Sequence, residues 1–191
     1  NGDEMLREFS RKFVNYLAEN NYNEEEIEQM EYVFRSTMFE ILKVLGEVLI
    51  FAALGYFKEI VIVLLVMLTT KPYIGGYHED TQMKCFMCSL LISGGIILLS
   101  SQCNFTFIGN IIILIFCIFA IYNQAPIINP SMPLTRNELI NKNRVRGLTA
   151  SIFWSLTSIA ISYYSSYFLI ITLTIFVNSV LMFNKKETSN E

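Results

Sequence analysis

The chain alternates between long apolar runs and short polar segments. Six of these runs hold a single charged residue between them, Glu47, and they cover residues 44–57, 60–70, 86–100, 105–122, 148–161 and 167–183. A helix needs about 20 predominantly apolar residues to cross the hydrocarbon layer of a bilayer. We therefore predict an all-α, polytopic membrane helix bundle with about six spans, at about 41–57, 59–71, 82–101, 105–123, 148–163 and 166–183.

The first forty residues have a different pattern, in which apolar residues recur at helical spacing among charged ones, as at Leu6, Phe9, Phe13 and Leu17. Asn23, with Glu26 three residues later, matches a capping box that starts a second helix. We predict amphipathic interfacial helices over 1–40, the second of which continues into the first span. A solvated helix pair is the alternative. A single membrane-embedded domain over 41–185 and a short cytoplasmic tail at 186–191 follow.

Composition supports the membrane class. The chain is 53% hydrophobic and only 16% charged, whereas soluble domains carry about 25% charged residues. The four cysteines, Cys85, Cys88, Cys103 and Cys117, lie in or beside apolar runs. A free cysteine behaves there as a small hydrophobic residue, so no disulfide framework is expected.

The distribution of Lys and Arg predicts the topology. Of the 13 basic residues outside the spans, 12 fall in alternate polar regions and Lys58 falls in another. Because cytoplasmic loops are rich in Lys and Arg, we expect both termini, the segment after the second span and the loop 124–147 to face the cytoplasm. The second run ends at Lys71-Pro72, where we expect the helix to stop. The glycine-rich segment after it would be shielded by protein or line a wet cavity.

His78 is the only histidine, and Cys85 follows it by seven residues. A thiol needs a base to become a nucleophile at neutral pH, which makes this pair a candidate for cysteine catalysis. Seven residues of continuous helix separate two side chains by about 10 Å, so the segment must bend between them. Asp80 or Thr81 can cap a new helix there and place Cys85 in its second turn, near the helix N-terminus that favours a thiolate. An interfacial His and a packing Cys are the alternatives.

Other features allow more than one interpretation. Cys85 and Cys88 form a C-x-x-C pair, but a thiol oxidoreductase would lie on the reducing side of the membrane. One His and two close Cys leave a metal shell incomplete, so no metal or other cofactor is expected. Glu47 lies inside the first span with Lys43 one turn before it, and either pairs with it or faces a substrate cavity. A non-enzymatic transporter or peptide-export partner, with His78 and Glu47 in a polar pathway, is a further alternative.

The loop 124–147 is proline-rich and then basic. It is either a linker that obeys the charge rule or a docking site for an acidic peptide. Lys71 and Lys84 are the basic residues nearest the His–Cys segment in sequence, and we expect them to attract acidic substrate residues.

Gly-Gly-Tyr-His at 75–78, Cys85 seven residues after the His, and the Ala125-Pro126 to Pro133 loop together resemble the accessory gene regulator B (AgrB) family of quorum-sensing membrane endopeptidases. The resemblance implies that His78 and Cys85 are the catalytic pair, and that Lys71 and Gly76 support them. Lys71 stands where some members have Arg, and it lacks the bidentate fork of Arg.

The resemblance also implies a substrate and partners. The substrate would be a propeptide with an amphipathic leader, a signal core and an acidic tail. Cys85 would release the tail, hold the core as a thioester and support closure of a thiolactone or lactone ring. The family works as a homodimer in the bacterial cell membrane, so the bilayer and a second copy are the expected partners, and nucleic acid is not.

Overall fold

The structure is a computed structural model that describes residues 11–12, 14, 23–75, 81–127 and 137–183. Six helices follow one another in the described residues: α1 Glu24–Ala53, α2 Phe57–Ile74, α3 Gln82–Gln102, α4 Phe107–Gln124, α5 Asn137–Ile161 and α6 Tyr167–Leu181. These residues contain no strand, which confirms the all-α prediction. The chain divides into two compact units, residues 1–49 and residues 50–191.

Short breaks with clear local causes separate α1 from α2 and α3 from α4. Gly55 takes a positive φ of 86° between α1 and α2, a conformation that glycine adopts without steric cost. Thr106 caps α4, since its hydroxyl accepts a hydrogen bond from the Gly109 amide at 3.1 Å. Both breaks lie at the same end of the bundle as the turn between α5 and α6.

Two helices have the length and the composition of a membrane span. α3 has 21 residues and α4 has 18, which at 1.5 Å per residue gives about 31 Å and 27 Å, close to the thickness of bilayer hydrocarbon. Large apolar side chains point out of the bundle on both, with Leu91 72% exposed and Phe119 66% exposed. Surfaces of this kind are rare on soluble monomers. Both helices fit a membrane protein, and six crossings remain a prediction.

The core of residues 50–183 lies where α2, α4 and α6 meet. Its buried members are Val66, Ile74, Leu114, Cys117, Ile121, Ala125, Ile171, Ile175 and Met182. Contacts between side chains fix the helix directions. Asn178 of α6 donates a hydrogen bond to Thr70 of α2 at 2.9 Å. One turn later in sequence, Met182 and Ile74 both belong to the core listed above, so α2 and α6 run parallel. Trp154 of α5 donates to Thr69 at 2.7 Å, and α5 runs antiparallel to them.

A buried polar cluster joins α4, α5 and α6 at the end where α4 and α6 begin. Thr172 donates to the side-chain oxygen of Asn110 at 2.6 Å, and the Asn110 amide donates to Ser158 at 3.3 Å. The Ser158 and Thr172 hydroxyls lie 2.8 Å apart. Each side chain has partners inside the bundle, which removes most of the cost of burying it.

Two helix boundaries differ from those predicted. α2 passes through Pro72 and ends at Ile74, because a proline near a helix end removes one backbone hydrogen bond while the last turn still closes on Lys71. α5 begins at Asn137, well before the span predicted at 148–163, so residues 137–147 are helical and not part of a linker. Hydropathy located the apolar half of α5 and missed its polar half.

Candidate active site

The last turn of α2 leads into the segment that carries His78. The Gly75 amide donates to the carbonyl of Lys71 at 3.0 Å, which closes the helix. Gly75 then takes a φ of +75°, a region that favours glycine. A Cβ at this position would overlap the backbone carbonyl of Ile127, after α4. Gly75 is therefore required for both its conformation and its contact.

The segment after α4 is bonded to this turn. The Ile127 amide donates to the carbonyl of Ile74 at 2.9 Å. Gly147 of α5 packs against the same turn, and a Cβ added to it would lie 2.6 Å from Cγ2 of Ile74 and 3.3 Å from Cβ of Tyr73. Since nothing larger than glycine fits there, α5 approaches α2 closely, and three elements fix the exit of α2.

Cys85 lies where the chain becomes helical again. Thr81 is extended, with φ −121° and ψ 143°, and α3 starts at the next residue. The Cys85 amide donates to the Thr81 carbonyl at 3.0 Å and closes the first turn. The helix that begins at Gln82, with Thr81 in the N-cap position, thus carries Cys85 in its first turn and not in the predicted second turn. The Cys85 thiol is half-buried and forms no disulfide.

Three other predicted site residues lie in the described helices. Lys71 is half-buried in the last turn of α2, and Lys84 is exposed beside Cys85. Glu47 is fully buried in α1, and Lys43 forms an ion pair with Glu40 at 2.6 Å. Gly76 and His78 lie outside the described residues, so the distance from His78 to Cys85 remains a prediction.

The described residues contain no disulfide and no cluster of metal ligands. Cys88 is half-buried in α3, three residues after Cys85, and none of the four cysteines forms a disulfide. No group of three or more potential metal ligands occurs among the described residues. The Cys117 thiol is buried in the core, where the Ser179 hydroxyl donates to it at 3.5 Å.

Two arginines of α5 contact aromatic rings at this end of the bundle. Arg144 donates to the carbonyl of Tyr122 at 2.6 Å and lies 5.1 Å from the centre of that ring. It therefore satisfies a carbonyl in the last turn of α4. Arg146 lies 5.8 Å from the centre of the Tyr73 ring, in the last turn of α2.

Sequence reasoning missed several of these residues. It named Gly76 and gave Gly75 no separate role. It also did not find Gly147, whose importance comes from its contact with Ile74. It grouped Arg144 and Arg146 together as loop charges. The only available signal was their spacing, because residues two apart on a helix face different neighbours.

Known proteins resemble this chain along nearly its whole length. The family model for accessory gene regulator B matches residues 10–183. The chain is 41% identical over 184 residues to Putative AgrB-like protein 1 of Clostridium perfringens, covering 94% of this chain and 97% of that protein. No solved structure matches the chain. The family match extends over nearly all of the described helices, and the chain belongs to the accessory gene regulator B family.

Proposed function

We propose that this protein is a membrane-embedded cysteine endopeptidase that processes a quorum-sensing propeptide at the C-terminal side of its signal core. Family membership is consistent with propeptide processing. The observation that carries the cysteine mechanism is the position of Cys85, half-buried in the first turn of α3 and directly after the segment that contains the only histidine.

The start of α3 offers backbone amides as hydrogen-bond donors beside Cys85. The first amides of a helix have no acceptor inside it, and they give its N-terminus a partial positive charge. The side chain of Thr81 does not cap them. The same amides are candidate donors to the oxyanion that forms during attack.

The reaction then follows from two groups. His78 accepts the proton of the Cys85 thiol, and the thiolate attacks the carbonyl at the end of the signal core. When the tetrahedral intermediate collapses, the C–N bond breaks and His78 returns the proton to the leaving amine of the tail. The core stays on Cys85 as a thioester.

Ring closure is the second step. A thiol or hydroxyl within the core attacks the thioester carbonyl, its proton passes to His78, and the Cys85 thiolate leaves. The product is a thiolactone or a lactone. A site that excludes water favours this internal attack over hydrolysis. Exchange between thioesters is nearly neutral, while formation of a thioester from an amide is uphill, so removal of the tail or of the ring drives net flux.

The polar groups inside the bundle offer little support for a transporter. Asn110, Ser158 and Thr172 bond to one another, and such a cluster holds helices together without a transported solute. We therefore favour the endopeptidase over a small transporter or export partner.

Mass spectrometry can test the proposal. Purified protein in liposomes is incubated with candidate propeptides, and an acyl adduct is sought on the peptide that contains Cys85. We expect cleavage, a trapped adduct after rapid acid quenching, and neither with Cys85→Ala. Normal cleavage by Cys85→Ala would overturn the cysteine mechanism.

A further inference from the structure

We propose that Arg146 is the residue that recognises the acidic segment of the substrate on the leaving side of the scissile bond. This inference rests on the proposed endopeptidase function and assigns a specificity-determining role in that site. Neither its charge nor its place in a basic stretch distinguishes Arg146 from its neighbours, but its contacts do.

Arg146 is held beside the last turn of α2 by the packing of its neighbour. Its neighbour Gly147 lies against Tyr73 and Ile74, and a Cβ on Gly147 would meet both. This close approach fixes Arg146 beside the last turn of α2, and its guanidinium lies 5.8 Å from the centre of the Tyr73 ring. The chain passes from that turn into the segment that contains His78. A charge here lies next to the exit of α2 that begins the proposed catalytic segment.

The charge of Arg146 is available to bind a substrate. The side chain is exposed, and it makes no hydrogen bond or ion pair with another described residue. The ring of Tyr73 supports the guanidinium by a cation–π contact and limits its motion. An arginine held in this way keeps its planar fork of N–H donors, which fits a carboxylate in a bidentate manner.

This end of the bundle carries an excess of positive charge. Among the described residues from 57 onward, five cations lie at the end where α2 stops and α3 starts, namely Lys71, Lys84, Lys142, Arg144 and Arg146. Glu138 is the one described carboxylate there. Such an excess of positive charge raises the local concentration of an anionic partner. The occupant that fits is a peptide segment rich in Asp or Glu.

Arg144 provides the matched control. It lies on the same helix and carries the same charge, but it already binds the carbonyl of Tyr122 and that ring. Its loss should weaken the end of α4 without removing a donor from the substrate. The two arginines therefore separate a recognition role from a structural role.

A binding measurement tests the proposal without requiring cleavage. The full chain carrying Cys85→Ala is placed in phosphatidylcholine nanodiscs, and fluorescence anisotropy follows labelled synthetic peptides that are rich in Glu, or in Gln at the same positions. We expect Arg146→Gln to weaken binding of the Glu peptide about five-fold, the value of one partly exposed ion pair. Binding of the Gln peptide should not change, and Arg146→Lys should retain part of the affinity. Arg144→Gln should lower the melting temperature and leave the preference for Glu intact.

Three results would overturn the role of Arg146: equal weakening of both peptides by Arg146→Gln, a loss of Glu preference in Arg144→Gln as large as in Arg146→Gln, or no preference for Glu before substitution. In the cleavage assay, Arg146→Gln should raise KM for an acidic-tail substrate while kcat stays nearly constant. Failure of the endopeptidase proposal looks different, because Cys85→Ala would then cleave normally whatever the tail.

Discussion

The amide of Ile127 donates a hydrogen bond to the carbonyl of Ile74 at 2.9 Å, which joins the end of α2 to the segment that follows α4. The two residues are far apart in sequence. Ile74 ends α2, and Ile127 follows α4. Their bond joins α2 to the segment after α4 at the end of the bundle where Gly147 also brings α5 against Ile74. The chain therefore enters the proposed catalytic segment at the end of the bundle that carries the cationic surface.

Gly75 is the most sensitive position in this contact. Gly75→Ala would strain a φ of +75° and overlap the carbonyl of Ile127. We expect it to displace the start of the His78 segment and to lower kcat/KM for propeptide cleavage about 100-fold, the order seen when a catalytic group moves by an ångström. Activity in liposomes and the melting temperature in detergent are the measurements.

Two glycines serve as controls for Gly75. Gly55 has a φ of +86° with open space around a Cβ, so Gly55→Ala tests strain alone, at about 1 kcal/mol. Gly95 lies inside α3 with nothing near a Cβ, and its substitution by Ala should be neutral or stabilising. Activity of Gly75→Ala equal to that of Gly55→Ala would show that the contact with Ile127 does not position the site.

The sequence predicted the apolar helices well and their polar ends poorly. α3 was expected at 82–101 and is Gln82–Gln102, because apolar residues fill nearly the whole helix. The polar half of α5 gives no hydropathy signal. The guanidinium of Arg144, which bonds to Tyr122 on another helix, is a contact from that half that no local pattern shows.

The candidate site divides in the same way. Local chemistry was sufficient to predict a helix boundary at Thr81 and a helix that carries Cys85, although the Thr81 side chain makes no capping hydrogen bond. The steric requirement for Gly75 was beyond local reasoning, because it comes from the carbonyl of Ile127 in a distant part of the chain. The separate roles of Arg144 and Arg146 likewise depend on Tyr122 and Tyr73, which lie on other helices.

The catalytic pair gives a direct prediction. Cys85→Ala and His78→Ala should each abolish cleavage while the protein still folds, because one supplies the nucleophile and the other its base. Cys88→Ala, Cys103→Ala and Cys117→Ala should remain active. Cleavage products are measured by mass spectrometry, and circular dichroism monitors the fold. Loss of activity in Cys88→Ala to the level of Cys85→Ala would instead favour dithiol chemistry.

The buried polar cluster should contribute to stability and not to catalysis. Asn110→Ala removes the partner of Thr172 and of Ser158 in a fully buried environment. We expect a loss of about 1–2 kcal/mol in unfolding free energy, since hydrogen bonds between membrane helices are individually modest. Denaturation in mixed micelles measures this loss. Asn123→Ala is the control, because Asn123 is exposed and bonds only within its own helix. Equal stability of the two variants would contradict the role of the cluster.

Topology can be tested from the loops at the two ends. We expect single cysteines at Asn104 and Ser165, in a background without native cysteines, to react with an impermeant reagent added outside the cell. A cysteine at Asn141 should react only after the membrane is opened, because the basic end is expected to be cytoplasmic. Labelling of Asn141 from outside, with Asn104 and Ser165 protected, would invert the orientation.

Lys71 requires a test that separates charge recognition from helix stability. It lies in the last turn of α2, where a cation interacts favourably with the helix dipole by about 0.3–1 kcal/mol. Lys71→Glu should therefore weaken cleavage for two reasons, by repelling an acidic tail and by destabilising the turn that ends at Gly75. Lys71→Gln removes the positive charge without adding a negative one, and it measures the smaller of these effects.

The substrate then distinguishes the two contributions of Lys71. If Lys71 attracts the acidic tail, a propeptide with a basic tail should partly restore cleavage by Lys71→Glu, and added salt should reduce the difference between the two substrates. If Lys71 acts only through the helix end, Lys71→Glu will lower cleavage of both substrates equally and will lower the melting temperature more than Lys71→Gln does. Rates with both tails at low and high salt, together with the two melting temperatures, decide between these outcomes.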